Sequence, residues 1–106
     1  MAAYLTVDDA PSDTLDEKRR VLERRGVPAL FFCEGRRLAE HPAAAERAVA
    51  SGFHLGNHTY SHPHASALSV PAFEREVAAT ERLIERRYAR AGVARPARVF
   101  RFPYGD

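Results

Sequence analysis

The sequence predicts an α/β fold in which parallel strands alternate with helices. Four short apolar segments, near residues 3–8, 28–33, 53–56 and 98–102, are separated by segments with helical periodicity. This alternation is typical of successive right-handed βαβ units, which form a parallel sheet or an arc of a barrel. The chain has 106 residues and forms one domain at most, so we expect four strands in sequential order with helices on one side.

The first strand and helix are predicted from an apolar run and a capping pattern. The apolar run covers residues 3–7 and ends at two adjacent aspartates. Thr14 and Glu17 have the spacing of a capping box, which predicts the start of the first helix. Gly26 follows the helical pattern and is expected to end it.

The middle of the chain predicts two further strands around an alanine-rich helical segment. The second strand lies within 27–33, and the helical segment 36–51 is interrupted at Pro42, where a new helix is expected to begin. A weaker third strand is predicted over 53–56. Cys33 is the only cysteine, which excludes an intrachain disulfide, and its apolar neighbours favour a small buried side chain over a nucleophile.

The last third of the chain predicts one long helix and the fourth strand. Ser69 is a good N-cap, and apolar residues at helical spacing continue from it to the region of Gly92. The charged residues on the other face of this helix are typical of a solvated surface. The fourth strand is predicted over 98–102, and a loop follows it.

Charge and hydropathy exclude two classes of partner. Lys and Arg number 16 against 14 Asp and Glu, and the arginines alternate with glutamates, so we expect no nucleic-acid binding. No window reaches the roughly 18 apolar residues of a membrane span. The first residues lack a signal-peptide pattern, which indicates the cytoplasm if this terminus is native and the cell envelope if a leader has been removed.

Polar side chains of chemical interest follow three of the predicted strands. They are Asp8 and Asp9, the segment 57–62, and the segment 101–104. The loops beyond the carboxyl ends of parallel strands meet at one rim, so we expect these residues to lie on one face of the fold.

A metal site is one interpretation of these polar residues. His58 and His62 are four residues apart, which allows both imidazoles to bind one ion, although the chain has five histidines and the pair alone is weak evidence. A carboxylate from a neighbouring strand end supplies the third ligand that a catalytic zinc site needs. Successive side chains at a strand end diverge, so one of Asp8 and Asp9 is expected to bind the ion and the other to be free as a general base.

Three segments resemble the first three motifs of the polysaccharide deacetylase family in order and spacing: Thr6–Pro11, His58–His62 and Arg101–Tyr104. The family includes chitin and peptidoglycan N-acetylglucosamine deacetylases. The resemblance implies a distorted (β/α) barrel and a divalent ion, most often zinc, used to hydrolyse acetamides on sugars. It also implies that residues 1–106 are the N-terminal half of one such domain, because the family's later motifs have no counterpart in this sequence.

The resemblance also implies roles for the residues of the first two motifs. Asp8 matches the general base of the family. Asp9, His58 and His62 match its metal ligands, and Thr59 matches a residue that braces the histidine loop.

The third motif is implied to serve Asp8 and the substrate. By the resemblance, Arg101 pairs with Asp8 and orients it, whereas an arginine in this place would otherwise be read as a surface charge. Pro103 and Tyr104 are implied to shape the substrate groove, with the Tyr104 N–H helping to hold the oxyanion. Ala10 stands where the family usually has glycine, and a positive φ there would cost about 1 kcal/mol or more.

The function expected from the resemblance is removal of an N-acetyl or related acyl group from an amino-sugar polymer or oligosaccharide, with zinc as cofactor. A relative that hydrolyses another linear amide is nearly as compatible with these motifs. A non-catalytic metal-binding or carbohydrate-binding fragment is the alternative outside enzymes. His54 and His64 are expected to lie outside the metal site. Half a barrel would also leave strand edges open and apolar strand surface exposed.

Overall fold

The computed structural model describes residues 5–106, which form a three-stranded parallel sheet covered by helices. The elements are β1 (Leu5–Ala10), α1 (Leu15–Arg25), β2 (Ala29–Cys33), α2 (Gly35–Glu40), α3 (Pro42–Ala50), β3 (His54–Asn57) and α4 (Val70–Ala91), with 3-10 turns at Ala65–Ala67 and Pro103–Gly105. The strand order is β1-β2-β3, and both pairs are parallel. The α/β class with sequential parallel strands is therefore confirmed, while positions 3 and 4 of the predicted first strand lie outside the described residues.

One face of the sheet carries the core and receives the helices. Alternate residues of a strand point to opposite faces, and Phe31 and Leu55 share the face that packs on buried helical side chains such as Ile84. The Phe31 ring meets the ring of Phe53 edge to face, with centroids 5.7 Å apart. Phe32 points to the opposite face, where the polar residues described below are found.

Most helix boundaries agree with the sequence patterns. The break at Pro42 separates α2 from α3, as predicted. Ser69 Oγ accepts a hydrogen bond from Ala72 N at 3.2 Å and caps α4. Gly92 ends α4 with φ 72°, in the left-handed region that a helix C-terminus commonly needs. Among the helices of residues 5–106, none is both long enough and apolar enough to cross a membrane.

The capping box predicted for α1 is wrong. Thr14 is the residue before the helix, but its φ and ψ of −102° and 6° are not the extended values of a capping residue, and its side chain makes no cap hydrogen bond. Ser12 engages it instead, since Ser12 Oγ lies 3.1 Å from Thr14 Oγ1 and accepts from Thr14 N at 3.3 Å. The contact with Ser12 therefore replaces the predicted pairing with Glu17.

The predicted fourth strand is present only as one parallel bridge beside β3, between Asn57 and Phe100. Asn57 N donates to Val99 O at 2.9 Å, and Arg101 N donates to Asn57 O at 3.0 Å. Leu55 N lies on the same edge of β3 as Asn57 N, two residues earlier, but it donates to Tyr88 Oη at 2.9 Å. Pairing along this edge of β3 stops at one bridge because the next N–H group on the edge, that of Leu55, is hydrogen-bonded to Tyr88 of α4.

Candidate metal centre

A bulge in β1 determines where its two aspartates point. The pairing of β1 with β2 shifts between Val7 and Ala10, so that Asp8 and Asp9 oppose a single residue of β2. Asp9 has φ 59°, a left-handed value that non-glycine residues rarely adopt. Bulges re-aim side chains, and here the two carboxylates separate: Asp9 lies against the histidines and Asp8 against Arg101.

Ala10 does not have the positive φ that would have cost an alanine there about 1 kcal/mol or more. The described residues with positive φ other than glycine are Asp9, Thr59, His62 and Tyr104. Ala10 is buried at the end of β1, and its carbonyl accepts from Glu34 N at 3.0 Å. The bulge places the left-handed residue one position earlier, so alanine fits where the family usually has glycine.

Three possible ligand atoms meet between β1 and the loop after β3. Asp9 Oδ1 lies 3.1 Å from His62 Nε2 and 3.5 Å from His58 Nε2, and the two Nε2 atoms are 3.2 Å apart. Ligand atoms at 2.0–2.1 Å from a tetrahedral zinc ion are separated by about 3.3 Å. The triangle therefore fits one zinc-sized ion, and residues 5–106 contain a possible Asp/His/His metal site.

The tautomer of His58 follows from its second nitrogen. His58 Nδ1 lies 2.8 Å from the carbonyl oxygen of Arg101, which can only accept, so Nδ1 carries the proton. Nε2 then presents its lone pair to the centre of the triangle, the arrangement found for metal-binding histidines with an outer hydrogen bond. The sequence did not reveal the Arg101 carbonyl as this partner, because every residue has a main-chain carbonyl whatever its type.

Thr59 and Asn57 brace the turn that carries His58. Thr59 is buried with φ 67°, its N–H donates to Asn57 Oδ1 at 3.0 Å, and its carbonyl accepts from Gly35 N at 3.0 Å. Its hydroxyl donates to the His58 carbonyl. Thr59 thus lies where the resemblance implies a bracing residue, and its hydrogen bonds hold the turn. Asn57 is a second support, which the sequence did not reveal.

Asn57 connects this turn to α4. Its Nδ2 donates to Val77 O and to Glu81 Oε1, both at 3.0 Å. Burial raises the pKa of the Glu81 carboxyl, but hydrogen bonds from Arg95 and Asn57 outweigh it and hold the pKa below its usual value. Glu81 therefore stays an ionised acceptor, which keeps the Asn57 amide oriented toward Thr59.

Arg101 holds Asp8 from the segment after the β3 bridge. Arg101 Nη1 lies 2.9 Å from Asp8 Oδ1 and donates to Thr6 Oγ1 at 3.2 Å. The guanidinium carbon lies 4.4 Å from the centroid of the Phe32 ring, within the range of a cation–π contact. Phe32 is a second support that the sequence reasoning missed, because it lies within an apolar strand run.

The site opens into a cleft of about 580 Å³ lined by Asp8, Asp9, Phe32, His58, His62, Phe100, Arg101, Phe102, Tyr104 and Gly105. Tyr104 lies at the rim of this cleft and is 62% exposed. The centroid of its ring is 4.7 Å from that of the His62 ring. Pro103 is buried beneath this rim.

The two remaining nearby histidines have other partners. The His64 ring stacks on Tyr104 with centroids 3.8 Å apart, and its Nδ1 lies 3.2 Å from Asp106 Oδ2. His54 Nδ1 lies 3.4 Å from Oη of Tyr88 in α4. Neither imidazole belongs to the triangle of ligand atoms.

Left-handed backbone is concentrated at this centre. The four non-glycine residues with positive φ in residues 5–106 supply two triangle ligands, the bracing threonine and the rim tyrosine. Such conformations cost of order 1–3 kcal/mol each and cluster at functional sites. The concentration indicates that the chain is shaped here for chemistry rather than for stability.

Comparison with known proteins agrees with the three motifs. The family model described as polysaccharide deacetylase matches residues 1–106. The chain belongs to the polysaccharide deacetylase family. It is 37% identical over 105 residues to a chitooligosaccharide deacetylase of Sinorhizobium fredii, covering 98% of this chain and 47% of that protein. It is 31% identical over 105 residues to a peptidoglycan-N-acetylglucosamine deacetylase of Bacillus cereus, covering 96% of this chain and 36% of that protein.

Solved structures of polysaccharide deacetylases share the fold. A family 4 carbohydrate esterase from Streptomyces lividans, solved in complex with acetate, superposes with a TM-score of 0.86 at 32% identity, covering 99% of this chain and 52% of that one. This match confirms the predicted first part of a (β/α) barrel. The chain spans about half the length, or less, of the curated relatives from S. fredii and B. cereus. Polysaccharide deacetylases of this kind are in general metal-dependent.

Proposed function

We propose that this protein is a metal-dependent hydrolase that removes N-acetyl or related acyl groups from an amino-sugar polymer or oligosaccharide. The observation that carries the proposal is the Asp9, His58 and His62 triangle beside the Asp8–Arg101 pair in one cleft. The named relatives from S. fredii and B. cereus act on N-acetylated sugars and support this substrate class.

Zinc is the proposed ion, held by Asp9, His58 and His62. Two imidazoles and one carboxylate are the ligands of several catalytic zinc sites, which keep a further position for water or substrate. When bound, such an ion polarises the amide carbonyl and makes water more acidic.

Asp8 is the proposed general base. Its carboxylate lies at the same cleft as the triangle but is turned to Arg101, so it is free to accept a proton from the attacking water. The water oxygen bonds to the acyl carbon, the C–N bond breaks, and the nitrogen leaves as an amine after gaining a proton. The contacts of Arg101 with Thr6 and Phe32 hold the guanidinium in place, so it orients the carboxylate.

Tyr104 and Pro103 are proposed to form the substrate side of the cleft. The exposed Tyr104 ring at the rim offers an apolar face to a sugar, and buried Pro103 anchors the turn that presents it. The Tyr104 N–H is the proposed donor to the oxyanion that develops on the acyl oxygen, as oxyanion sites commonly use backbone N–H groups.

Acetate release from chitin oligomers tests this function. We expect the purified, zinc-loaded protein to release acetate, a chelator to stop the release, and added zinc to restore it. Stoichiometric zinc binding without acetate release from chitin oligomers or peptidoglycan would favour the non-catalytic alternative. Turnover that a chelator leaves unchanged would exclude the metal role.

A further inference from the structure

Glu76 of α4 binds the segment between the two histidines. Glu76 Oε1 accepts from Tyr60 N at 3.0 Å and from Ser61 N at 2.9 Å. Glu76 Oε2 accepts from Ser61 Oγ at 3.0 Å. One carboxylate thus receives three hydrogen bonds from two consecutive residues, and it lies outside the three motifs that carry the resemblance.

His58 and His62 differ in what supports them from outside the triangle. His58 Nδ1 lies 2.8 Å from Arg101 O, and His58 N donates to Cys33 O at 3.0 Å. For the His62 ring, the hydrogen-bond and ion-pair partners found within residues 5–106 are Asp9 and His58, which are candidate ligands themselves. Apart from the edge contact with the exposed Tyr104 ring, His62 therefore depends on its backbone for its position.

That backbone is held in an unfavourable conformation. Thr59 and His62 have φ of 67° and 60°, so a left-handed residue stands at each end of the Tyr60-Ser61 step. Such a turn persists only where the surroundings determine it. The three bonds to Glu76 supply this constraint on the His62 side, as Asn57 does on the His58 side.

The helix that carries Glu76 is a firm support. Ile84 and Tyr88, further along α4, are buried in the core, and Thr80 Oγ1 donates to Glu76 O at 3.1 Å. Glu76 is half-buried against the loop, whereas Glu74 on the same helix is exposed. The two glutamates therefore carry the same charge in different surroundings.

We propose that Glu76 is a positioning residue that fixes the Tyr60-Ser61 turn and thereby places His62 against His58 and Asp9. The inference rests on the metal site of the proposed function. Glu76 acts through His62 and touches neither the ligand triangle nor the cleft lining.

Zinc affinity, measured by competition with a chromophoric chelator, tests this role. We expect Glu76→Ala to weaken zinc binding by about 10- to 100-fold, the effect typical of losing an outer partner of a metal ligand. Glu74→Ala removes the same charge from an exposed position of α4 and is expected to leave the affinity unchanged. Glu76→Gln keeps an acceptor oxygen for both N–H groups, so we expect it to restore most of the affinity.

Urea unfolding of the zinc-free variants separates positioning from a purely structural role. If Glu76 only stabilised the fold, Glu76→Ala would lower the urea midpoint but bind zinc within twofold of Glu74→Ala, and the proposal would be overturned. If Glu76→Ala does not fold, Glu76→Asp decides, because it keeps the charge but is one methylene too short to reach the loop. We then expect several-fold weaker zinc binding, and an affinity equal to the wild type overturns the proposal.

The zinc titration also separates this inference from the proposed function. Failure of the wild type and Glu74→Ala to bind zinc would reject the metal site itself. Equal zinc binding by the wild type and all the variants would reject the role of Glu76 alone.

Discussion

The two sides of the metal centre are built differently. On the histidine side, the His58 side chain is 3% exposed, Thr59 is fully buried, and hydrogen bonds tie the turn to α2 and α4. On the carboxylate side, the side chains of Asp8 and Asp9 are 42% and 51% exposed. Asp9 meets the two histidines, and Asp8 meets Arg101.

This difference indicates a division between holding and reacting. A buried and a half-buried imidazole in a braced turn are preorganised, so an ion meets two ligands that are already in place. An exposed carboxylate is open to water and substrate, which a general base requires. We therefore expect changes on the histidine side to affect metal binding first and changes at Asp8 and Arg101 to affect turnover first.

The largest effect is expected from His58→Ala. The change removes one of three ligands and leaves the Arg101 carbonyl without its partner, so we expect zinc affinity to fall by more than about 100-fold and activity to disappear. Metal content after gel filtration, together with acetate release, measures this loss. His54→Ala, which changes an imidazole outside the triangle, is the control and should retain zinc.

Asp8→Asn should separate the two sides most clearly. We expect zinc content to stay near the wild-type level, while acetate release falls by about 10²- to 10⁴-fold because the general base is lost. Asp13→Asn changes an exposed aspartate outside the cleft and serves as the control. Loss of zinc from Asp8→Asn as complete as from His58→Ala would mean that the roles of Asp8 and Asp9 are reversed.

Arg101→Lys should have a smaller effect, confined to turnover. A lysine keeps the charge, but it does not reproduce the guanidinium that meets Asp8 and Thr6 and lies over the Phe32 ring. We expect kcat to fall by about tenfold, the low end of a positioning effect. Zinc affinity should stay unchanged, because the contact of Arg101 with His58 comes from the backbone. A zinc affinity that fell as much as kcat would contradict this separation.

The smallest effect is expected from Asp16→Asn, far from the site. Asp16 joins α1 to α3 through two hydrogen bonds from Arg47, at 2.9 and 2.6 Å. The Arg47 hydrogen bonds, with help from Arg19, hold the pKa of Asp16 at about 2, below the usual 3.8. We expect the variant to lose about 0.5–1 kcal/mol of unfolding free energy at neutral pH, as for an ion pair near the surface.

The pH dependence of that loss follows from the lowered pKa. The stabilisation by Asp16 is complete above the unfolded value of 3.8 and is lost as the pH falls through about 2. Urea unfolding of the wild type and Asp16→Asn should therefore converge at the acidic end of this window. A difference that persisted below pH 2, or a change in zinc affinity, would contradict a purely structural role for this pair.

Local patterns predicted most elements of this chain. A helix end at Gly92 or a start at Ser69 depends on a few neighbouring residues, and both agree with the structure. The capping box at Thr14 failed because Ser12 Oγ accepts from the Thr14 N–H, which the Glu17 side chain would have bound, and also contacts the Thr14 hydroxyl. The predicted fourth strand pairs through only one bridge because the Leu55 N–H donates to Tyr88, 33 residues away. No local sequence pattern indicates such a distant contact.

For the site, residue types and spacing were enough to name His58 and His62 as ligand candidates and Asp8 and Asp9 as a ligand and a base in an order left open, because imidazoles and carboxylates are recognisable at fixed spacing. The resemblance to the family motifs then implied which aspartate has which role, and it alone singled out Arg101. The motifs did not reveal Asn57, Glu76 or Phe32, since an amide, a glutamate on a helix and an apolar residue in a strand are common in structural roles.

Tertiary structure alone decided how these residues are oriented. The bulge at Val7–Ala10 turns Asp9 to the histidines, and the Arg101 carbonyl selects the tautomer of His58 across 43 positions of sequence. Both depend on backbone atoms, which are alike at nearly every position and are brought together by packing of distant segments. Side-chain identity therefore specifies which chemistry the chain can support, while the backbone path specifies which atom of each side chain meets the ion.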